Sequence, residues 1–287
     1  MKPKFKLLKY NKVGSASSIL LHAHELAGHF DIEELKPELD KYSIHTEYCA
    51  RKRYFSSKYV KKYKEILAAH YPATSEDKLA KLWVNENWAK QFAGFVIDLA
   101  ESAGSPPTYI EIHPPFKEYT SIDTFLLHYK LFSNAMHSKY PQVQILIENR
   151  SGSLSSKKFL ISTCEDLKIL SEKIDKQSSD LKIALDIPQI QTAYKLQNRE
   201  IEKVLDMCKG FIHNVMSVHL WGRQNNKAHI GNLDSYFASH GEKQKFLNKF
   251  GELFSDNITR LMVIEVNSSE HTKDIIDDLK TVVEFVK

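Results

Sequence analysis

The sequence has only three cysteines in 287 residues, Cys49, Cys164 and Cys208, and no C-x-x-C spacing. An odd, scattered set of this kind argues against a disulfide framework and for a reducing, intracellular compartment. No apolar stretch reaches the roughly 20 residues of a membrane helix. The early run Ile19, Leu20, Leu21 is broken at once by His22, so no signal peptide is expected, and a cytoplasmic protein with no membrane contact is. P-loop, G-x-G-x-x-G and G-x-S-x-G signatures are all missing. No Pro/Gly/Ser linker or low-complexity tract divides the chain, so residues 1–287 are read as a single domain. Cys49 has no partner that would make it a nucleophile, and it reads as a small buried residue. The formal charge of +4 is too small to name a partner by itself. Nothing in the sequence bears on oligomeric state.

What is present is a recurring unit. Short β-rich or aliphatic runs at residues 43–49, 108–113, 144–148, 182–186, 215–220 and 260–266 are each followed by a longer stretch of helical periodicity. The helical stretches are 31–41, 76–103, 122–139, 165–176, 193–209, 242–254 and 272–286. Repeating βα units in a chain of this length predict an α/β fold, a (β/α)8 TIM barrel, which typically takes about 250 residues. The first two strands are expected to be irregular or incomplete. Residues 5–10 read as a strand, and 17–22 as either a strand or a helix.

Active sites of such barrels form at the C-terminal ends of the strands. The residues that end the runs here are His45, His113, Glu148, Asp186, His219 and Glu265. Imidazoles and carboxylates converging on one pocket suit a divalent metal, with zinc first and manganese or iron as alternatives. Clustered carboxylates would repel one another without a cation. Each residue also has a plainer reading. A histidine in an apolar strand is more often a hydrogen-bonded core residue, and Asp186 is well placed to cap the helix that follows. The pair His22 and His24, with Glu25, reads as structural.

A family resemblance enters at this point. Tyr109-Ile-Glu-Ile-His113-Pro-Pro, His45-Thr-Glu-Tyr48, Ile147-Glu148-Asn149-Arg150-Ser-Gly, Ala184-Leu-Asp186, Val218-His219-Leu220, Ala228-His229-Ile-Gly and Ile264-Glu265-Val together resemble the strand-end motifs of the endonuclease IV-like branch of the xylose-isomerase-like barrels. The resemblance covers roughly residues 30 to 287. It implies one metal held by His45, His113 and Glu148, and a second held by Glu148, Asp186, His219 and Glu265. The third metal site of that family departs here, with Gln189 in place of a histidine and Lys227 in place of an aspartate, leaving His229. Two ions are therefore expected, with Glu148 and Glu265 as catalytic carboxylates.

The resemblance implies a metal-dependent phosphodiesterase or endonuclease acting on nucleic acid, DNA rather than RNA, at abasic or damaged sites, with a role in DNA repair. Tyr48 holds the position of the family's DNA-contacting tyrosine. Arg51 and Arg53 open a basic, aromatic-rich stretch reaching Lys64, which suits phosphates and stacked bases. Arg150, Arg223, Lys227, Gln189 and His229 complete the candidate substrate or phosphate contacts. Two other classes compete. A single-metal sugar isomerase or epimerase would use Glu148, Asp186, His219 and Glu265 as its quartet, with two glutamates moving a proton beside a carbonyl. A binding module would keep the pocket without turnover.

Overall fold

The aliphatic runs pair in register, each with the one before it in sequence. In the computed structural model β3 (Ser43–Thr46) pairs with β4 (Tyr109–Ile112), β4 with β5 (Gln144–Glu148), β5 with β6 (Lys182–Asp186) and β6 with β7 (Val215–Leu220), all in parallel. The two-strand hairpin of β8 (Arg223–Gln224) and β9 (Lys227–Ala228) follows β7. β10 (Thr259–Ile264) then returns parallel to β7. Residues 4–13, 21–24, 43–46, 62, 81–103, 106–151, 159–195, 201–220, 223–224, 227–228 and 240–264 are described.

β1 (Lys4–Val13) and β2 (Leu21–His24) close the barrel in the order β1-β10-β7-β6-β5-β4-β3-β2. Lys4 to Lys9 of β1 pair in parallel with β10, whereas Tyr10 to Val13 pair antiparallel with β2. β2 is also antiparallel to β3. The reason lies in chain length. Residues 14–20 alone join β1 to β2, and a parallel crossover needs a dozen or more residues. The barrel expectation holds, with its irregularity in the first two strands.

Six helices are described: α1 (Glu86–Ala103), α2 (Ile122–Lys139), α3 (Cys164–Gln177), α4 (Ile187–Ala193), α5 (Ile201–Cys208) and α6 (His240–Leu253). Their starts are fixed by side chains that satisfy free backbone N–H groups. Asn85 Oδ1 accepts from Trp88 N at 2.8 Å, Ser121 Oγ from Thr124 N at 3.2 Å, and Thr163 and Asp166 form a reciprocal capping box. Two helical expectations change. The stretch 76–103 becomes helical only at Glu86, because Trp83 adopts a left-handed φ of 58° and Asn85 caps the next turn. Within the stretch 193–209 the described helix is α5 alone, because Ala193 is the last residue of α4, which Lys195 follows at φ 54°.

Side chains alternate across each strand. One set, including Ile110, Ile112, Ile145, Ile147, Ile183, Leu185 and Val218, packs outward with the helices' Phe92, Phe132, Leu167, Leu205 and Phe250 in the main core. The other set points inward. There Leu146, Ala184, Leu261 and Val263 form a small separate cluster. The inner cluster is apolar low in the barrel. Two residues further along β5 and β6 come Glu148 and Asp186. This change from apolar to charged along the same inner face is what positions the site.

Candidate metal centre

Glu111 on β4, Glu148 at the end of β5 and His219 on β7 each offer a ligand atom, and the three atoms lie within 4.8 Å of one another. All three side chains are buried. His219 Nε2 is 3.1 Å from Glu111 Oε2. His113 Nε2–H donates to Glu148 Oε2 at 2.8 Å, and Arg150 approaches Glu148 Oε1 at 3.4 Å. The elements explain the convergence. Glu111 and His113 stand two apart on β4 and so share its inner face. Glu148 stands two beyond the inner Leu146, and His219 is the register partner of Val263.

Two carboxylates inside a barrel are costly to desolvate unless positive charge meets them. At Glu148 the Arg150 guanidinium and the N–H of His113 do part of this. The donor set, two carboxylate oxygens and one imidazole nitrogen, is also of the type that holds zinc, manganese or iron. The residues present therefore fit a divalent ion.

The rims of the barrel are tied together around this group. Asn149, buried, donates Nδ2–H to Asp186 O and accepts from Asp186 N, both at 2.9 Å, which locks the end of β5 to the end of β6. Asp186 Oδ1 accepts from Gln189 N at 2.9 Å as the N-cap of α4. Gln189 Oε1 in turn accepts from Ser151 N at 3.1 Å and Ser151 Oγ at 2.6 Å. Between β4 and β5, Leu160 N donates to Pro115 O at 2.7 Å and Phe116 stacks on Phe159.

Comparison with solved structures gives the fold a counterpart. The chain is similar to a D-tagatose 3-epimerase-like protein, with 18% identity over 88% of this chain and 91% of that one, at a TM-score of 0.50. It is the fold that the two share. Weaker likenesses are to the IolI protein with a bound zinc atom (12% identity, 80% and 84% of the two chains, TM-score 0.46) and to the apo form of a 3-keto-D-glucoside 4-epimerase from E. coli (13%, 78% and 84%, TM-score 0.41). No protein-family model and no curated protein sequence matches the chain.

Against this geometry the expected site residues divide. His113, Glu148, Arg150 and His219 come together. Asp186 stands beside His219 in register, and its Oδ1 caps α4. Gln189 engages Ser151 through its carbonyl oxygen. The backbone of His45 pairs with that of Glu111, and Arg223 and Lys227 lie in the β8–β9 hairpin; their side chains, with Tyr48, Arg51, Arg53, His229 and Glu265 entire, lie outside the described residues. Of the basic stretch 51–64, Lys62 is described, and its ammonium pairs with Asp98 on α1 at 2.8 Å. Glu111 escaped the sequence reading. It was visible as an acid two residues before His113 in an otherwise apolar strand. Asn149 was visible as the residue after Glu148.

No helix among the described residues is long and apolar enough to cross a membrane.

Proposed function

We propose that this chain is a divalent-metal-dependent isomerase or epimerase of a small polyhydroxy ketone, using one ion held by Glu111, Glu148 and His219. The observation that carries the reading is the buried group of two carboxylates and one imidazole on the inner face of the barrel. The shared fold with a D-tagatose 3-epimerase-like protein supports the substrate class. When bound, a divalent ion polarises a substrate oxygen and makes the neighbouring C–H more acidic.

The chain's own residues supply the rest. Glu148 is the group to remove and return the proton on the carbon beside the carbonyl, because it is the carboxylate at a strand end, where the active sites of such barrels form, and Arg150 and His113 hold it in one orientation there. His113 fixes the carboxylate's rotation, and Asn149 fixes the backbone beside it. The apolar layer of Leu146, Ala184, Leu261 and Val263 below excludes water from that side. The resemblance supplies a second carboxylate, Glu265, for the opposite face of the substrate.

This reading replaces two-ion hydrolysis of nucleic acid as the favoured one. The test is incubation with ketoses in heavy water, with and without added divalent metal, followed by NMR of deuterium entry beside the carbonyl. Metal-dependent exchange that Glu148→Gln abolishes supports the proposal. Cleavage of abasic DNA without exchange into any ketose overturns it in favour of the hydrolase.

A further inference from the structure

His113 is followed by Pro114 and Pro115. Neither has an N–H to donate, and the β4 ladder stops at Ile112. The carbonyl of His113 lies just beyond this ladder, at a buried strand end. Trp83 meets it. Its indole Nε1–H donates to His113 O at 2.9 Å across 30 residues of sequence.

Trp83 is itself held in an unusual state. It is fully buried, yet its φ of 58° lies in the left-handed region that a bulky residue rarely adopts. Such conformations persist where the surroundings over-determine them, and they concentrate at functional sites. Two features hold this one. The His128 ring donates Nδ1–H to Trp83 O at 2.7 Å, and because that oxygen is only an acceptor, the ring's hydrogen must sit on Nδ1. The indole is also enclosed by Trp88, Phe92, Phe125 and Phe132, with centroids 4.8 to 5.6 Å away.

We propose that Trp83 is a positioning residue for the candidate centre. Braced by His128 and the aromatic box, its indole N–H fixes the backbone of His113 and so the direction in which that ring meets Glu148. The role rests on the proposed metal centre for its consequence, but not for its structural part. Supporting groups of this kind typically alter metal affinity or activity about 10- to 100-fold.

The test compares Trp83→Phe, which keeps an aromatic ring and removes the donor, with Phe246→Leu, a buried core change on α6 outside the box that braces Trp83. His128→Leu releases Trp83 from the other side and serves if Trp83→Phe does not fold. Two readouts are taken on the full chain: hydrogen–deuterium exchange of the segment 109–116, and affinity for zinc alone by competition titration. Trp83→Phe is expected to speed exchange of that segment about tenfold and weaken zinc binding about tenfold, with His128→Leu moving both the same way. Phe246→Leu should lower the melting temperature and move neither. Equal exchange in Trp83→Phe and Phe246→Leu overturns the inference. If wild-type protein binds no zinc while Trp83→Phe still frees the segment, the metal reading fails and the positioning role stands.

Discussion

His219 Nε2 lies 3.1 Å from Glu111 Oε2 inside the barrel. A second imidazole–carboxylate pair, His113 with Glu148, lies close by at 2.8 Å. Both pairs are removed from water, and Glu111, Glu148 and His219 bring their ligand atoms together. The arrangement makes Glu111 as important as the strand-end residues. Replacing Glu111 with Gln keeps the shape and removes the charge. Zinc affinity is expected to fall at least about a hundredfold, beyond the usual effect of a supporting group. Competition titration checks it, with circular dichroism to show that the fold is kept. Unchanged affinity would remove Glu111 from the centre.

Asn149 gives a prediction about stability. Its carboxamide satisfies both the N–H and the C=O of Asp186 where backbone pairing of β5 and β6 gives out. Asn149→Ala leaves two buried polar groups without that partner. Each such group costs about 1–3 kcal/mol, so a loss of about 2–4 kcal/mol is expected in urea unfolding. A loss under about 0.5 kcal/mol, the range of ordinary surface changes, would show that the clasp is dispensable.

A third prediction concerns pH. Arg260 is buried at the start of β10 and donates to Asp256 at 2.6 and 2.7 Å, to Val215 O at 2.9 Å and to Ile212 O at 3.1 Å. The hydrogen bonds from Arg260 hold the Asp256 carboxyl below the usual carboxylate range, against the opposing effect of burial. A carboxyl lowered on folding stabilises the fold above its unfolded value, near pH 4. That contribution is lost as pH falls through the lower folded value. Asp256→Asn should therefore cost about 1 kcal/mol at pH 7, a carboxylate at the surface being screened by solvent, and the gap to wild type should close below about pH 4. Denaturant titrations at pH 7 and pH 3 measure it. A gap of equal size at both would show that the carboxylate's charge is not what matters.

The structure also shows what a sequence of this kind conveys. β5, β6, β7 and α2 begin and end at the residues the patterns indicate. Strands covered on both faces read as unbroken aliphatic runs, and here a charged residue closes β5 and β6. Ser121 marks the start of α2 by its cap. Other features depend on contacts that no local pattern records. The helix before Gly104 starts late because Trp83 must turn its indole toward His113, 30 residues away. Glu111 stands within an otherwise apolar strand, and only closure of the barrel brings it together with Glu148 and His219. Asp186 was legible as two things, a ligand or a cap. Its bond to Gln189 N realises the cap.

Cys164 and Cys208, far apart in sequence, lie with their sulfurs 4.0 Å apart between α3 and α5. A hydrogen bond to Cys164, then burial, pushes the Cys208 thiol upward, which keeps it protonated and unreactive. Cys208→Ala is expected to leave catalysis intact while lowering stability by about 1–2 kcal/mol for a small buried side chain. Thermal melts and the deuterium-exchange assay together check this. Loss of exchange activity with the fold intact would bring the thiol into the chemistry.

The most direct test of the central claim is the metal content of the purified, reconstituted chain by elemental analysis, beside Glu148→Ala. The account predicts about one divalent ion per chain in the wild type, lost in the variant. No bound metal after reconstitution, or an ion retained without Glu148, would contradict it. Two tightly held ions would return the argument to the dinuclear hydrolase.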